Sequence, residues 1–303
     1  MLVLSLSLLL ASVNPAPHPA VQGSGPRAVP VEIQPAALSA HIRFLADDLL
    51  EGRETGTRGF DIAARYVAAQ FQAMGLEPAG DDGTYFQNIA FRTGRLISDR
   101  SSMVFTDGTV SSTLAPKTDY LLRANLTQET SEVTAPLVFV GQGIVAPELG
   151  RDDYAGLDVR GKIVMFVSGA PPTFPSTQRA HYSSVHVKDE VAAARGAVGV
   201  ITLKSVTDER RRSFERSAGE AGMGSMRRVD GNGHPLETNE QMRGGATVNA
   251  GTAVRLFAHA PVSVQQVLQD AEIGISHGFP LAVSVTMRTV TELGVARSEN
   301  VVA

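Results

Sequence analysis

Residues 136–171 read PLVFVGQGIVAPELGRDDYAGLDVRGKIVMFVSGAP, and this stretch decides the fold. Two apolar runs, Leu137–Val140 and Lys162–Val167, are short, rich in Val, Ile and Phe, and bounded by Gly and Pro. Those features predict buried β-strands. Between them stand Gly141, Gly143, Pro147, Gly150, Gly156 and Gly161, with the polar run Arg151-Asp152-Asp153-Tyr154. This is turn chemistry, and it leaves no room for a long helix.

Downstream, His186 to Arg195 predicts a short helix, Gly196 its left-handed cap, and Val198 to Leu203 a buried strand. A helix feeding a buried strand through a glycine turn is an ordinary α/β unit. Asp208 to Arg216 carries charges at helical spacing, with Asp208–Arg212 and Arg211–Glu215 as expected i,i+4 pairs on a solvated face. Gly219 to Gly245 predicts a long surface loop, Val262 to Gln269 a helix, and Leu281 to Val290 an edge strand.

Upstream, Leu38, Ile42, Leu45 and Leu49 make one apolar stripe, which predicts a helix over 35–50 ended by Gly52. A second helix is expected from near Thr57, with the stripe Phe60, Ala64, Val67, Phe71 and Met74 and a stop at Gly75. Tyr85 to Phe91, Ser102 to Phe105 and Tyr120 to Leu126 are candidate strands. Asn125-Leu126-Thr127 fits an N-glycosylation acceptor, a triplet common by chance. Met1 to Val13 is apolar but too short to span a bilayer, and predicts the core of a secretory signal. No Lys or Arg precedes it, and a buried N-terminal strand or helix is the other reading. The proline-rich run 14–30 predicts an extended linker.

A length of 303 residues fits about two domains. The net charge of -4 gives no basic excess, so a nucleic-acid partner is not expected. There is no cysteine, which excludes disulfides and thiolate metal sites.

Two resemblances organise these elements. Val138–Ile144 (VFVGQGI), Asp152–Val164 (DDYAGLDVRGKIV) and Ala192–Leu203 (AAARGAVGVITL) resemble the protease-associated domain, a small β-rich module of secreted and membrane-bound peptidases. Phe44–Gly80, with LLEGRETGT at Leu49–Thr57 and GLEPAG at Gly75–Gly80, followed by YFQ at Tyr85–Gln87, resembles the N-terminal region of secreted zinc aminopeptidases with two co-catalytic metals. The resemblance implies an α/β (α+β) fold in which a β-rich protease-associated domain is inserted after the leading helices of an α/β zinc-peptidase domain. The implied layout is a signal-like segment and linker at 1–30, a leading peptidase segment at 31–130, the protease-associated domain at 131–292, and the first strand of the peptidase core at 293–303. In that family a similar NVVA opens the first core strand, as at Asn300–Ala303.

The family's zinc ligands come from a His-x-Asp pair, a Glu-Glu pair and further single residues of the core. None of the seven histidines is followed two places on by Asp, and there is no Glu-Glu and no His-Glu-x-x-His. No catalytic, cofactor-binding or metal residue is therefore assigned in this chain, and zinc is expected only in the catalytic domain. His181 and His186, with Asp189, are the nearest to a metal pair; the plainer reading is a polar loop leading into a helix, five residues being poor spacing on a helix face. Gly141-Gln142-Gly143-Ile144-Val145-Ala146 matches a loose dinucleotide fingerprint, but Pro147 and Gly150 deny it a helix N-terminus, and Asp152 and Asp153 would repel phosphate. Asp47, Asp48 and Glu51 read as a solvated helix end, and Arg53 is the residue most suspected of reaching toward an active site.

The expected function is the non-catalytic front half of an exported, periplasmic or extracellular aminopeptidase that removes N-terminal residues from peptides. Its expected partners are a peptide or protein substrate and the downstream peptidase domain, with no stable membrane span and no activity of its own. A stand-alone protease-associated binding module and a truncated, inactive product are the alternatives.

Overall fold

The computed structural model describes residues 34–222 and 224–303, so the signal-like segment and the linker at 1–30 lie outside the described residues. Two compact units partition the chain at Asp47/Asp48. In the first, helix α1 (Pro35–Leu45) has Pro at its start and no side-chain cap. It stops five residues short of the expected end. Asp48–Arg53 instead forms a separate 3-10 turn in which Glu51, Gly52 and Arg53 all have positive φ (52°, 78° and 55°). A right-handed helix cannot continue through three left-handed residues, and such a run in non-glycine residues is strained. Asp47 and Glu51 therefore do not share a helix face.

The second unit continues with α2 (Arg58–Ala73), capped by the Thr57 hydroxyl. The strands follow as β1 (Phe86–Leu96), β2 (Ser102–Asp107), β3 (Val110–Thr113), β4 (Tyr120–Leu122), β5 (Thr130–Val140), β6 (Val145–Ala146), β7 (Arg151–Asp152) and β8 (Ile163–Val167). Then come α3 (Ser176–Ser183), α4 (Val185–Ala194), β9 (Gly199–Leu203), α5 (Val206–Arg211), α6 (Phe214–Glu220), β10 (Ser225–Arg228), β11 (Gly244–Val248), α7 (Ala250–Leu256), α8 (Val264–Glu272) and β12 (Gly278–Val301). The main sheet runs β10-β1-β12-β5-β8-β9-β11-β4, with β2 pairing β12 and β3 pairing β2. It is mixed: β5, β8, β9 and β11 are parallel neighbours, and the other pairings are antiparallel. Strands from 31–130, 131–292 and 293–303 thus share one sheet.

The two apolar runs that opened the sequence are its centre. Every residue of β8 and β9 is buried. Leu137, Phe139, Ile163, Met165, Val167, Ile201 and Leu203 face α7 and α8, meeting Leu256, Phe257, Val264 and Val267. Val138, Val140, Val164, Phe166 and Val200 face the other way, toward Ala192 of α4 and Tyr154. Helices or loops on both faces are why these strands are continuously apolar rather than alternating. Full burial of each such side chain is worth about 1.5–3 kcal/mol against exposure.

Several expectations are corrected. The strand expected at 281–290 is not an edge strand: it is the first half of β12, flanked by β2 and β5. The long loop expected at 219–245 contains β10 and the start of β11. The charged run 208–216 is split between α5 and α6, and its expected pairs give way to Arg212–Glu220 and Arg216–Glu220. Asp208 instead accepts a hydrogen bond from Ser168 Oγ at 2.5 Å. The strand at 120–126 ends at Leu122. Among the α2 stripe residues, Ala64 is buried, Phe60, Val67 and Phe71 are half-buried, and Met74 is exposed. The buried face is Gly59, Ala63, Ala64 and Ala68, small residues that allow a close approach. A Cβ on Gly59 would lie 1.7 Å from the Leu50 carbonyl oxygen, so the turn 48–53 fits only against glycine there.

Candidate functional site

The turn after β5 is held by a buried carboxylate. Gly141 and Gly143 have φ of 58° and 67°, which orients the amides of Gln142 and Ile144 toward one point. Asp153 Oδ2 occupies that point, accepting from Gln142 N at 3.1 Å and Ile144 N at 3.0 Å. Arg151 pairs with Asp153 at 2.9 Å and donates to the Gly274 carbonyl and Gln142 Oε1. The acid that would repel a phosphate thus fills the amide nest itself, and the dinucleotide-like GQGIVA is a structural turn. Lys188, 1% exposed, closes the other side: its Nζ donates to the carbonyls of Gln142 (2.6 Å), Val167 (3.2 Å) and Gly169 (2.5 Å). Burial pushes its pKa down to about 7, with the Asp153 carboxylate pulling the other way.

A cleft with room for a ligand lies elsewhere. A cleft of about 450 Å³ opens between the 123–127 turn, α4, β10 and the segment leading into β11. Arg123 follows β4 and lies flat on the backbone of β11, where a Cβ on Gly245 would come within 2.5 Å of its Nε. The guanidinium is thereby aimed at Asp189 of α4, giving a two-point pair at 2.6 and 3.4 Å. One helical turn before Glu190, His186 points its Nε2 at Glu190 (3.2 Å) and at Glu237 (3.9 Å). Asn125 spends its side-chain oxygen on Thr127 N, Thr127 Oγ1 and Gln128 N. Thr289 of β12 lines the cleft, and its hydroxyl is buried without a partner. Arg227 and Arg243, both exposed, line it too.

Of the residues singled out from sequence, His186 and Asp189 thus share the cleft, each with its own partner. His181 does not line it; its ring stands edge-on to Tyr182 at 4.8 Å. Tyr182 donates to Glu148 at 2.7 Å, which holds that carboxyl below its ordinary pKa. No group of three or more His, Asp or Glu side chains among the described residues is arranged to hold a metal, so these residues do not fit the zinc that the resemblance implies. No described helix is long and apolar enough to cross a membrane. Sequence reading missed Arg123, Glu237 and Thr289. Arg123 and Thr289 sit next to or within strands 166 positions apart in the sequence, and no spacing rule links them. The one local sign was the Gly244-Gly245 pair at the head of β11, since a glycine inside a strand often marks a close backbone approach.

No protein-family model and no curated protein matches the sequence. Solved structures do. An aminopeptidase from Aneurinibacillus sp. strain AM-1 is 17% identical over 86% of this chain and 46% of that one, with a TM-score of 0.42. BSAP, a zinc aminopeptidase from Bacillus subtilis, is 14% identical over 87% of this chain and 44% of its own, with a TM-score of 0.31. A second, medium-resolution structure of BSAP gives 13% identity and a TM-score of 0.29. This chain spans less than half the length of each. At these scores the likeness assigns no residue a role.

Proposed function

We propose that this chain is the front, non-catalytic segment of an exported zinc-dependent aminopeptidase, with residues 131–292 serving as a protease-associated lid or substrate-interaction module. One observation carries the reading: the separate stretches that resemble the peptidase family converge in space. A Cβ on Gly56, in LLEGRETGT, would lie 3.3 Å from the Arg297 carbonyl oxygen on β12. Ala79, in GLEPAG, donates its amide to Val302, and Val302 donates to Tyr85, the first residue of YFQ. Tyr85 in turn donates its hydroxyl to the Leu76 carbonyl. Motifs more than 200 positions apart thus close one corner of the fold. The three left-handed residues 51–53 add to the reading, because backbone strain is retained chiefly at functional positions. In this reading, zinc and its ligands belong to the peptidase core, and peptides are the substrate.

The decisive experiment compares this chain with a longer product that carries a downstream core, using aminoacyl anilide hydrolysis and zinc by elemental analysis. The longer product is expected to bind zinc and turn over substrate, and this chain alone to do neither. Stoichiometric zinc on this chain, with turnover abolished by a chelator, overturns the proposal. A second reading, a binding module acting by itself, is favoured by the ligand-sized cleft, which this chain forms from its own residues.

A further inference from the structure

The cleft beside α4 holds unspent hydrogen-bonding capacity of both signs. Asp189 satisfies only part of the Arg123 guanidinium, whose side chain stays 38% exposed. The Asn125 amide group has its oxygen fully engaged, which leaves its N–H donors for a ligand. The Thr289 hydroxyl is the clearest sign: the residue is 1% exposed, lines the cleft, and meets no partner. A buried hydroxyl is costly until something bonds to it. These three donors lie close in the fold, since Thr291, two places along the same face of β12, accepts from the Asn125 backbone N–H at 3.0 Å. Acceptor capacity sits on Glu190 and Glu237, which flank His186 and stay largely exposed.

A ligand of one sign would leave one of these sets unmatched. A polyanion would meet Asp189, Glu190 and Glu237, and a bare cation would meet Arg123, Arg227 and Arg243. We propose that the cleft binds a small zwitterion, a free amino acid or a short peptide. Its carboxylate lies on Arg123, Asn125 and Thr289, and its ammonium group at Glu190 and Glu237. The volume of about 450 Å³ is in the usual range for small-ligand sites. The inference concerns side chains of this chain alone and does not depend on the peptidase reading.

The test is calorimetric titration of the full chain with alanine, dialanine and trialanine, and with N-acetyl-trialanine and trialanine amide. At least one unblocked ligand is expected to bind, and blocking either end should weaken binding about tenfold. The length series separates the two sources: tightest binding by alanine marks a free amino acid, and by trialanine a peptide. Thr289→Val keeps the side-chain volume and should weaken unblocked ligands severalfold while leaving trialanine amide unaffected. Glu237→Gln, on an exposed segment, should weaken N-acetyl-trialanine least. Absence of binding by every unblocked ligand at millimolar concentration overturns the proposal, as does equal binding of blocked and unblocked forms. Hydrolysis by a longer product alongside no binding here would remove the cleft assignment and leave the peptidase reading standing.

Discussion

The two halves of β12 are one strand in two environments. Over 278–290 it pairs with β5 and, along 283–288, with β2 as well, and its odd-numbered residues Phe279 to Thr289 are all buried. Over 291–301 it pairs with β1 through eleven registered positions, and only Thr291 and Ser298 are buried. Val295 there is 80% exposed. The first half is held by side chains packed against a core. The second is held by its ladder with β1, and α2 lies against β12. Regular backbone geometry is therefore no guide to where stability resides; the burial pattern is.

The largest test strikes the packed side. Phe139 is 1% exposed and has Phe257 and Phe279 at ring distances of 5.2 and 5.3 Å. Phe139→Ala should cost about 3–5 kcal/mol by urea unfolding. Next comes Lys188→Met, which leaves three carbonyls, two of them buried, without their Lys188 donor and should cost about 2–3 kcal/mol near pH 7. Its pH signature is distinct. Because the folded pKa is lowered from 10.5 to about 7, the unfolded chain holds the extra proton between those values, so native stability rises with pH across that window. Below pH 7 both states are protonated and the slope vanishes. Urea midpoints at pH 7 and pH 9 should differ in this sense for the native sequence, and the difference should shrink in Lys188→Met. A third test compares the halves directly. Amides of 293–301 should exchange through openings about 1–2 kcal/mol cheaper than those of β8. Equal protection would remove the distinction. The smallest effect is expected at Val295→Ala, within about 0.5 kcal/mol, and a core-like loss there would show that this half has a packed cover.

The same difference explains what was legible in the sequence. β8, β9 and the end of β5 were readable because burial on both faces forces an unbroken apolar run. In β12, alternation over 281–290 predicts an edge strand because it looks alike on an edge and inside an antiparallel sheet. Its second half, with Arg297, Glu299 and Asn300, carries no apolar period at all. Pairing with β1, about 200 residues away, makes it a strand, and single-sequence patterns do not encode partners. The apolar stripe of α1 continues through Leu49 and so predicts a longer helix, while the backbone turns left-handed at Glu51. For the cleft, the helix supplied its two recognised members, His186 and Asp189. Arg123 is hidden from sequence because its role depends on Gly245 of the neighbouring strand, more than 100 positions away.

Continuity of β12 has a mechanical consequence. Twenty-four residues in one strand have a contour of about 80 Å. Tension applied at Val301 along the strand would load the pairs with β1, then those with β2 and β5, in shear. Such pairs must break together, unlike a hairpin peeled open one rung at a time. That second half would therefore bear the load before it reached Thr289, the buried cleft-lining residue twelve places before Val301 on the same strand.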